Sequence, residues 1–148
     1  MNFGSSFGIS ASALTAQRLR MDVISSNIAN AETTRASVVD GKAVPYKRKL
    51  VVMEASESDK FSNILNSKMN SSTQGVKVQS IIEDSSPLKP VYNPSHPDAD
   101  AEGYVYMPNV DITKEMVDML SASRSYEANI TMLNASKAMV SKALEIGR

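Results

Sequence analysis

"DITKEMVDMLSASRSYEANITMLNASKAMVSKALEIGR", Asp111 to Arg148, decides the fold. Ile112, Met119, Tyr126, Leu133 and Val140 recur every seven residues. Met116, Ile130 and Leu144 fill most of the companion positions, with Ser123 and Lys137 as exceptions. Apolar residues at this spacing line one side of a helix and make a coiled-coil seam, sustained here over about five heptads. A second stripe runs through Val117, Leu120, Ala128, Met132, Ala135, Met139, Ala143 and Ile146. Asn109 or Asp111 is placed to cap the start, Glu115 falls near the first turn, and Gly147 is placed to stop the helix. A helix over 111–146 would extend roughly 50 Å. That exceeds the expected diameter of a compact domain of this size, about 26 Å or a little more.

The other end of the chain repeats the pattern. From about residue 7 to 31, Phe7, Leu14, Met21 and Ile28 form a heptad row, with Ile24 and Ala31 beside it. A second row, Ile9, Ala16, Leu19 and Val23, points nearly the opposite way, with Arg18, Arg20 and Asp22 between the two. A helix with one apolar stripe lies on one core, whereas a helix with two needs neighbours on both sides. The helix ends in "VISSNIANAETT", Val23 to Thr34, which holds Asn27 and Asn30. Asparagine is a poor helix-interior residue because its side chain competes for backbone hydrogen bonds. Asn27 falls near the seam, where a polar group can fix register at some cost in stability. Asn30 falls where the helix should end, as a cap or in the left-handed conformation that turns the chain.

The simplest partner for the C-terminal seam is the N-terminal helix. Leu14, Met21, Ile24 and Ile28 are expected to pack with Met119, Tyr126, Ile130, Leu133 and Val140. Such a pair leaves one stripe on each helix unburied, and exposed stripes of that size mark association surfaces.

Between the ends, "KLVVMEAS" (Lys49 to Ser56), "VKVQSIIED" (Val76 to Asp84) and "GYVYMP" (Gly103 to Pro108) have strand composition. Phe61, Ile64, Leu65 and Met69 form one short helical face in a serine-rich stretch. "SSPLKPVYNPSHPDAD" is proline-rich and predicts an extended, turn-rich segment with few ladder hydrogen bonds. The fold expected is mainly α with a small β-containing middle. Residues 1–32 and 109–148 form terminal helices paired as a coiled coil. Residues 33–108 form a short-stranded, proline-rich middle domain.

Composition narrows the function. The 148 residues carry 16 basic and 16 acidic side chains, which argues against a dedicated nucleic-acid binder. Cysteine is absent, which removes disulfides, zinc–thiolate sites and cysteine nucleophiles. Tryptophan is absent too, and the nine methionines suit either an adaptable interface or ordinary core filling. The N-terminal stretch lacks a basic n-region, and polar residues interrupt its apolar runs, so it does not read as a cleavable secretory signal. No window offers ~18 consecutive apolar residues, so no transmembrane helix is expected.

His96 stands beside Pro97, Asp98 and Asp100, a spacing that reads as a turn. Without a second histidine or a cysteine, the usual zinc sets are not available. "PDADAEG" (Pro97 to Gly103) lacks the glycine and bidentate glutamate of a calcium loop. There is no glycine-rich phosphate loop and no GxSxG elbow. "PYKRKL" (Pro45 to Leu50) reads as the solvated start of a strand. No enzyme, cofactor, metal, nucleic acid or small-molecule substrate is therefore expected.

The terminal segments also carry a resemblance. "SALTAQRLRMDVISSNIANAETT" (Ser12 to Thr34) resembles the N-terminal motif of the bacterial flagellar rod and hook axial proteins. Pro108 to Arg148 resembles their C-terminal motif, most specifically in "EMVDMLSASRSYEAN", Glu115 to Asn129. Short length and "VYNPSHPDADAEGYVYMPNVD" (Val91 to Asp111) point to the proximal-rod members. The family's "TPGYKR"-like turn is replaced by "TTRASVVDGKAVPYKRK", Thr33 to Lys49, with Tyr46 as the equivalent tyrosine.

The resemblance implies a structural subunit that polymerises with other rod proteins, the rod-to-membrane-ring junction protein and copies of itself into a torque-bearing drive shaft. It implies export by the flagellar type III apparatus without a cleavable signal, and residence in the periplasmic rod of the basal body. It implies termini that become paired helices in the rod. The assembly interface expected is Leu14, Met21, Ile24, Asn27, Ile28, Asn30, Met116, Met119, Tyr126, Ile130, Leu133, Val140 and Leu144. The alternative is a generic coiled-coil adaptor or another type III-secreted structural component.

Overall fold

Two long helices bracket six short strands among the described residues. The structure, a computed structural model, describes residues 3–39, 42–56 and 75–146. Helix α1 spans Phe3–Ala29. Its last turn is closed by Asn30, whose Nδ2 donates to the Ser26 carbonyl at 2.9 Å. Helix α2 spans Ile112–Ile146, 35 residues with no glycine or proline inside. Asp111 caps it, its Oδ1 accepting the N–H groups of Thr113 (3.0 Å) and Lys114 (3.3 Å).

The strands form three two-stranded sheets. β1 (Ser37–Val39) pairs antiparallel with β2 (Lys42–Val44), so the stretch to which the sequence assigned no structure is a hairpin. β3 (Lys49–Ala55) pairs with β4 (Val76–Glu83). Its ladder is closed at one end by Asp84 N–H to Arg48 C=O and at the other by Ser56 N–H to Gly75 C=O, both 2.8 Å. β5 (Lys89–Tyr92) pairs antiparallel with β6 (Tyr104–Met107), in the register Pro90 opposite Tyr106. Part of the proline-rich segment is thus laddered, contrary to expectation. In a two-stranded sheet both strands are edges, the setting that admits proline. The expected helical face at Phe61, Ile64, Leu65 and Met69, and the stop at Gly147, lie outside the described residues.

The chain divides into two compact units. One comprises Met1–Arg20, Val52–Ser80 and Ser121–Arg148. Its buried side chains among the described residues are small: Ala16, Ala122 and Ser136. In it, the start of β4 meets α1 at Ser12, whose Oγ donates to the Ile9 carbonyl (2.8 Å) and accepts the Val76 N–H (3.2 Å). Gly75 passes so close that a Cβ there would stand 2.7 Å from Ser12 Oγ. The other unit comprises Met21–Val51 and Ile81–Leu120. Its apolar core holds Val23, Ile24, Tyr46, Val105 and Val110, and Asn27 and Glu115 are buried in the same unit. Gly103 has a φ of 79°, in the left-handed region that glycine reaches without penalty.

Two expectations about the stripes are corrected. The second row of α1 is not bare: Ala16 and Val23 are buried, and Ile9 and Leu19 are half-buried. β4 meets this side of α1 in one unit, where the Val76 N–H bonds Ser12 Oγ, and in the other unit Val23, Ile81 and Ile82 line one depression. On α2 four of the five heptad residues, Met119, Tyr126, Leu133 and Val140, are half-buried, but Ile112 is not and the companions differ. The covered side runs through Glu115, Met119, Ala122, Tyr126, Asn129, Leu133, Ser136 and Val140. Ile112, Met116, Ile130 and Leu144 are exposed instead. Glu115 turned inward fixes the rotation of the helix, and a step of about 100° carries Met116 outward.

Candidate assembly surface

A polar cluster in the Met21–Val51 and Ile81–Leu120 unit sets the geometry. Asn27 is only 1 % exposed, and its amide uses every hydrogen-bonding position it has. Nδ2 donates to the Lys49 carbonyl (2.9 Å) and to Glu115 Oε2 (3.1 Å). Oδ1 accepts from the Tyr46 hydroxyl (3.0 Å) and from the Lys49 N–H (2.9 Å). The end of α1, the start of β3 and the first turn of α2 therefore meet on one side chain.

Glu115 is equally buried and carries the charge of the cluster. Its Oε1 accepts from Arg48 Nε (2.7 Å) and Nη2 (2.5 Å). Arg48 also faces Asp84 at 3.6 Å and Asp118 at 4.0 Å. Burying a carboxylate is costly unless a cation and hydrogen bonds answer it, and the rigid guanidinium fork does so. Asp84 is held below the ordinary carboxyl value by the Ser86 hydroxyl and N–H first, with Arg48 adding to them. The expectation of a solvated "PYKRKL" is corrected in part: Tyr46 is buried and Arg48 points inward, while Lys47, beside Glu83 at 3.5 Å, and Lys49 are exposed. The first-turn position of Glu115 suggested a dipole contact, but burial by Arg48 and Asn27 governs it.

A second link ties the start of the middle segment to the acidic turn. The Thr34 hydroxyl donates to Asp98 Oδ2 at 2.9 Å, and Arg35 Nε donates to Oδ1 at 3.0 Å, with Nη2 on the same oxygen. These bonds, Arg35 first, hold the Asp98 carboxyl below its ordinary value. His96 Nδ1 accepts the Asp98 N–H at 3.1 Å. Among the described residues no group of three or more His, Cys, Asp or Glu side chains could hold a metal. Nor is any helix there long and apolar enough to cross a membrane.

Opposite the covered side, α2 is bare. Leu120 is 65 % and Met132 62 % exposed, and Val117 and Met139 stand open with them. No large apolar side chain of α1 is exposed among those described. Of the expected interface residues, Ile24 and Asn27 are buried. Leu14, Met21, Ile28, Asn30, Met119, Tyr126, Leu133 and Val140 are half-buried, and Met116, Ile130 and Leu144 are exposed. Sequence reasoning did not assign Tyr46, Arg48 or Glu115 to the cluster. The one available signal was Glu115 itself, an acidic side chain four residues before Met119 on the seam.

Comparison with known proteins identifies the family. Residues 7–36 match the family model described as flagella basal body rod protein. Residues 101–146 match the model described as flagellar basal body rod FlgEFG protein C-terminal. A Bacillus subtilis protein named flagellar basal-body rod protein FlgC is 59 % identical over 97 % of each chain. Proteins of the same name from Borreliella burgdorferi and Salmonella typhimurium are each 46 % identical, the first over 99 % of this chain and 98 % of its own, the second over 96 % of both. With both terminal signatures in place and this identity running nearly end to end, the chain belongs to the FlgC family of flagellar basal-body rod proteins.

Proposed function

We propose that this chain is a structural subunit of the proximal rod of the bacterial flagellar basal body. The observation that carries the proposal is the bare apolar side of α2, in a chain whose relatives are named rod proteins. An apolar helix face of this length is stable in water only when neighbours cover it. Residues 1–32 and 109–148 serve as the axial core, with the two helices paired as a coiled coil, and residues 33–108 form the middle domain.

The neighbours are other rod proteins, the rod-to-membrane-ring junction protein and further copies of this chain. Delivery is by the flagellar type III apparatus without removal of a signal peptide, and the site of assembly is the periplasmic rod. The mechanism is mechanical. Interlocked helices share the torque across many buried side chains, so no catalytic residue or cofactor takes part. The half-covered seam of Met119, Tyr126, Leu133 and Val140 acts within the coiled-coil core, together with Leu14, Met21, Ile24 and Ile28. Met116, Ile130 and Leu144, exposed on the free chain, act between subunits.

Complementation tests this. Cells lacking the chain should be non-motile and build no complete rod, and Leu133→Asp should fail to restore either. Basal bodies purified from motile cells that contain none of this chain would overturn the proposal.

A further inference from the structure

Asn27 joins three chain segments, and the chemistry of its partners is asymmetric. Its two amide protons face two acceptors, the Lys49 carbonyl and the Glu115 carboxylate. Its single carbonyl oxygen faces two donors, the Tyr46 hydroxyl and the Lys49 N–H. A carboxylate in the same place would keep the second pair and set an oxygen against both members of the first.

We infer that Asn27, Arg48 and Glu115 form a charge-reading register lock, which accepts an amide at position 27 and a carboxylate at position 115 and thereby fixes one alignment of α1, β3 and α2. Asn27 grips both backbone groups of Lys49, so a slip of β3 by one residue presents the opposite strand face and breaks both bonds. A slip of α2 by one residue swings Glu115 by about 100° away from Arg48. Either error leaves a buried charge without its partner. An apolar side chain at 27 would fill the space without telling one alignment from another.

The charged and titratable groups around Asn27 are Glu115 and Asp118 on α2, Tyr46, Arg48 and Lys49 at the start of β3, and Asp84 after β4. Arg48 already serves three carboxylates and the Lys49 ammonium lies over the Tyr46 ring, so a carboxylate at position 27 adds a like charge beside Glu115. The new carboxyl is pushed to bind a proton in the folded state. Its folded pKa then lies above its unfolded one, so its stabilising contribution is present at low pH and is lost as pH rises through the folded value. Once protonated, the carboxyl can donate again.

Thermal unfolding of the full-length chain tests the lock with Asn27→Asp, Asn27→Leu, Glu115→Gln and the Asn27→Asp/Glu115→Gln double variant. At about pH 7.5, Asn27→Asp should melt below Asn27→Leu, and the gap should narrow as pH falls to about 5 and the folded carboxyl takes up its proton. The double variant should melt above the additive sum of the two single losses, because the glutamine amide at 115 can donate to the carboxylate at 27. If Asn27→Asp does not fold at the higher pH, a cooperative transition regained at the lower one supports the lock, and its absence at both overturns it. Equal melting of Asn27→Asp and Asn27→Leu at both pH values, or strict additivity in the double variant, also overturns it. The readout is the unfolding of one chain, so failure of the lock leaves the rod assignment untouched.

Discussion

α1 and α2 each carry two apolar rows, yet they differ in what covers them. α1 has its rows at least half-covered throughout the described side chains, while α2 leaves Val117, Leu120, Met132 and Met139 in water. The periodicity of the two helices does not separate them. Their surroundings do: α1 is met by β4 at Ser12 and Val76 in one unit, and its Val23 is buried in the other. A helical stripe states which side must be covered, and only the rest of the chain decides whether the cover comes from within or from another subunit.

The contrast can be broken most severely at the polar cluster. Glu115→Leu removes the carboxylate that accepts from Arg48 Nε and Nη2 and from Asn27 Nδ2, and should cost about 3–5 kcal/mol in urea unfolding of the free chain. Ile24→Ala, on the covered helix, should cost about 2–4 kcal/mol by the same measurement, from lost burial and the cavity left behind. Gly75→Ala tests the contact between β4 and α1: a methyl group 2.7 Å from Ser12 Oγ forces that hydroxyl to turn from the Val76 N–H or β4 to shift, at about 1–3 kcal/mol. Leu120→Ala, on the bare helix, should change free-chain stability by no more than about 0.5 kcal/mol. Under the assembly proposal it should nevertheless reduce motility in a swimming assay. A loss at Leu120 as large as that at Ile24 would erase the difference between the helices.

The smallest effect is pH-dependent. Asp84 and Asp98 titrate below the ordinary value of 3.8 in the folded chain. Their stabilising contribution is therefore present above that value and is lost as pH falls through the lower folded values. Asp98→Asn should flatten the acid limb of a stability-against-pH curve and leave the neutral plateau nearly unchanged.

Both helices were legible to within a few residues, because two rows of apolar residues and an asparagine or aspartate at the boundary are local signals. β3, β4 and β6 were legible for the same reason, through runs of branched and aromatic residues. β5 was not, since Pro90 speaks against a strand unless the sheet is known to have only two. The companions in the α2 seam were misassigned because Met116, Ile130 and Leu144 are more apolar than Glu115, Asn129 and Ser136. Composition ranked them, whereas a buried ion pair formed across 67 residues of chain set the rotation. The Arg35–Asp98 link, 63 residues apart, left no trace in either segment alone.

The bare face of α2 has one more property. Met116, Met132 and Met139 hold their thioethers in solvent. Peroxide converts such sulfur to a polar sulfoxide, which no longer suits an apolar contact. Burial between subunits would shield the same atoms. Under the assembly proposal, a subunit waiting to be incorporated ages chemically in a way that an incorporated one does not, and prompt incorporation doubles as protection against oxidants.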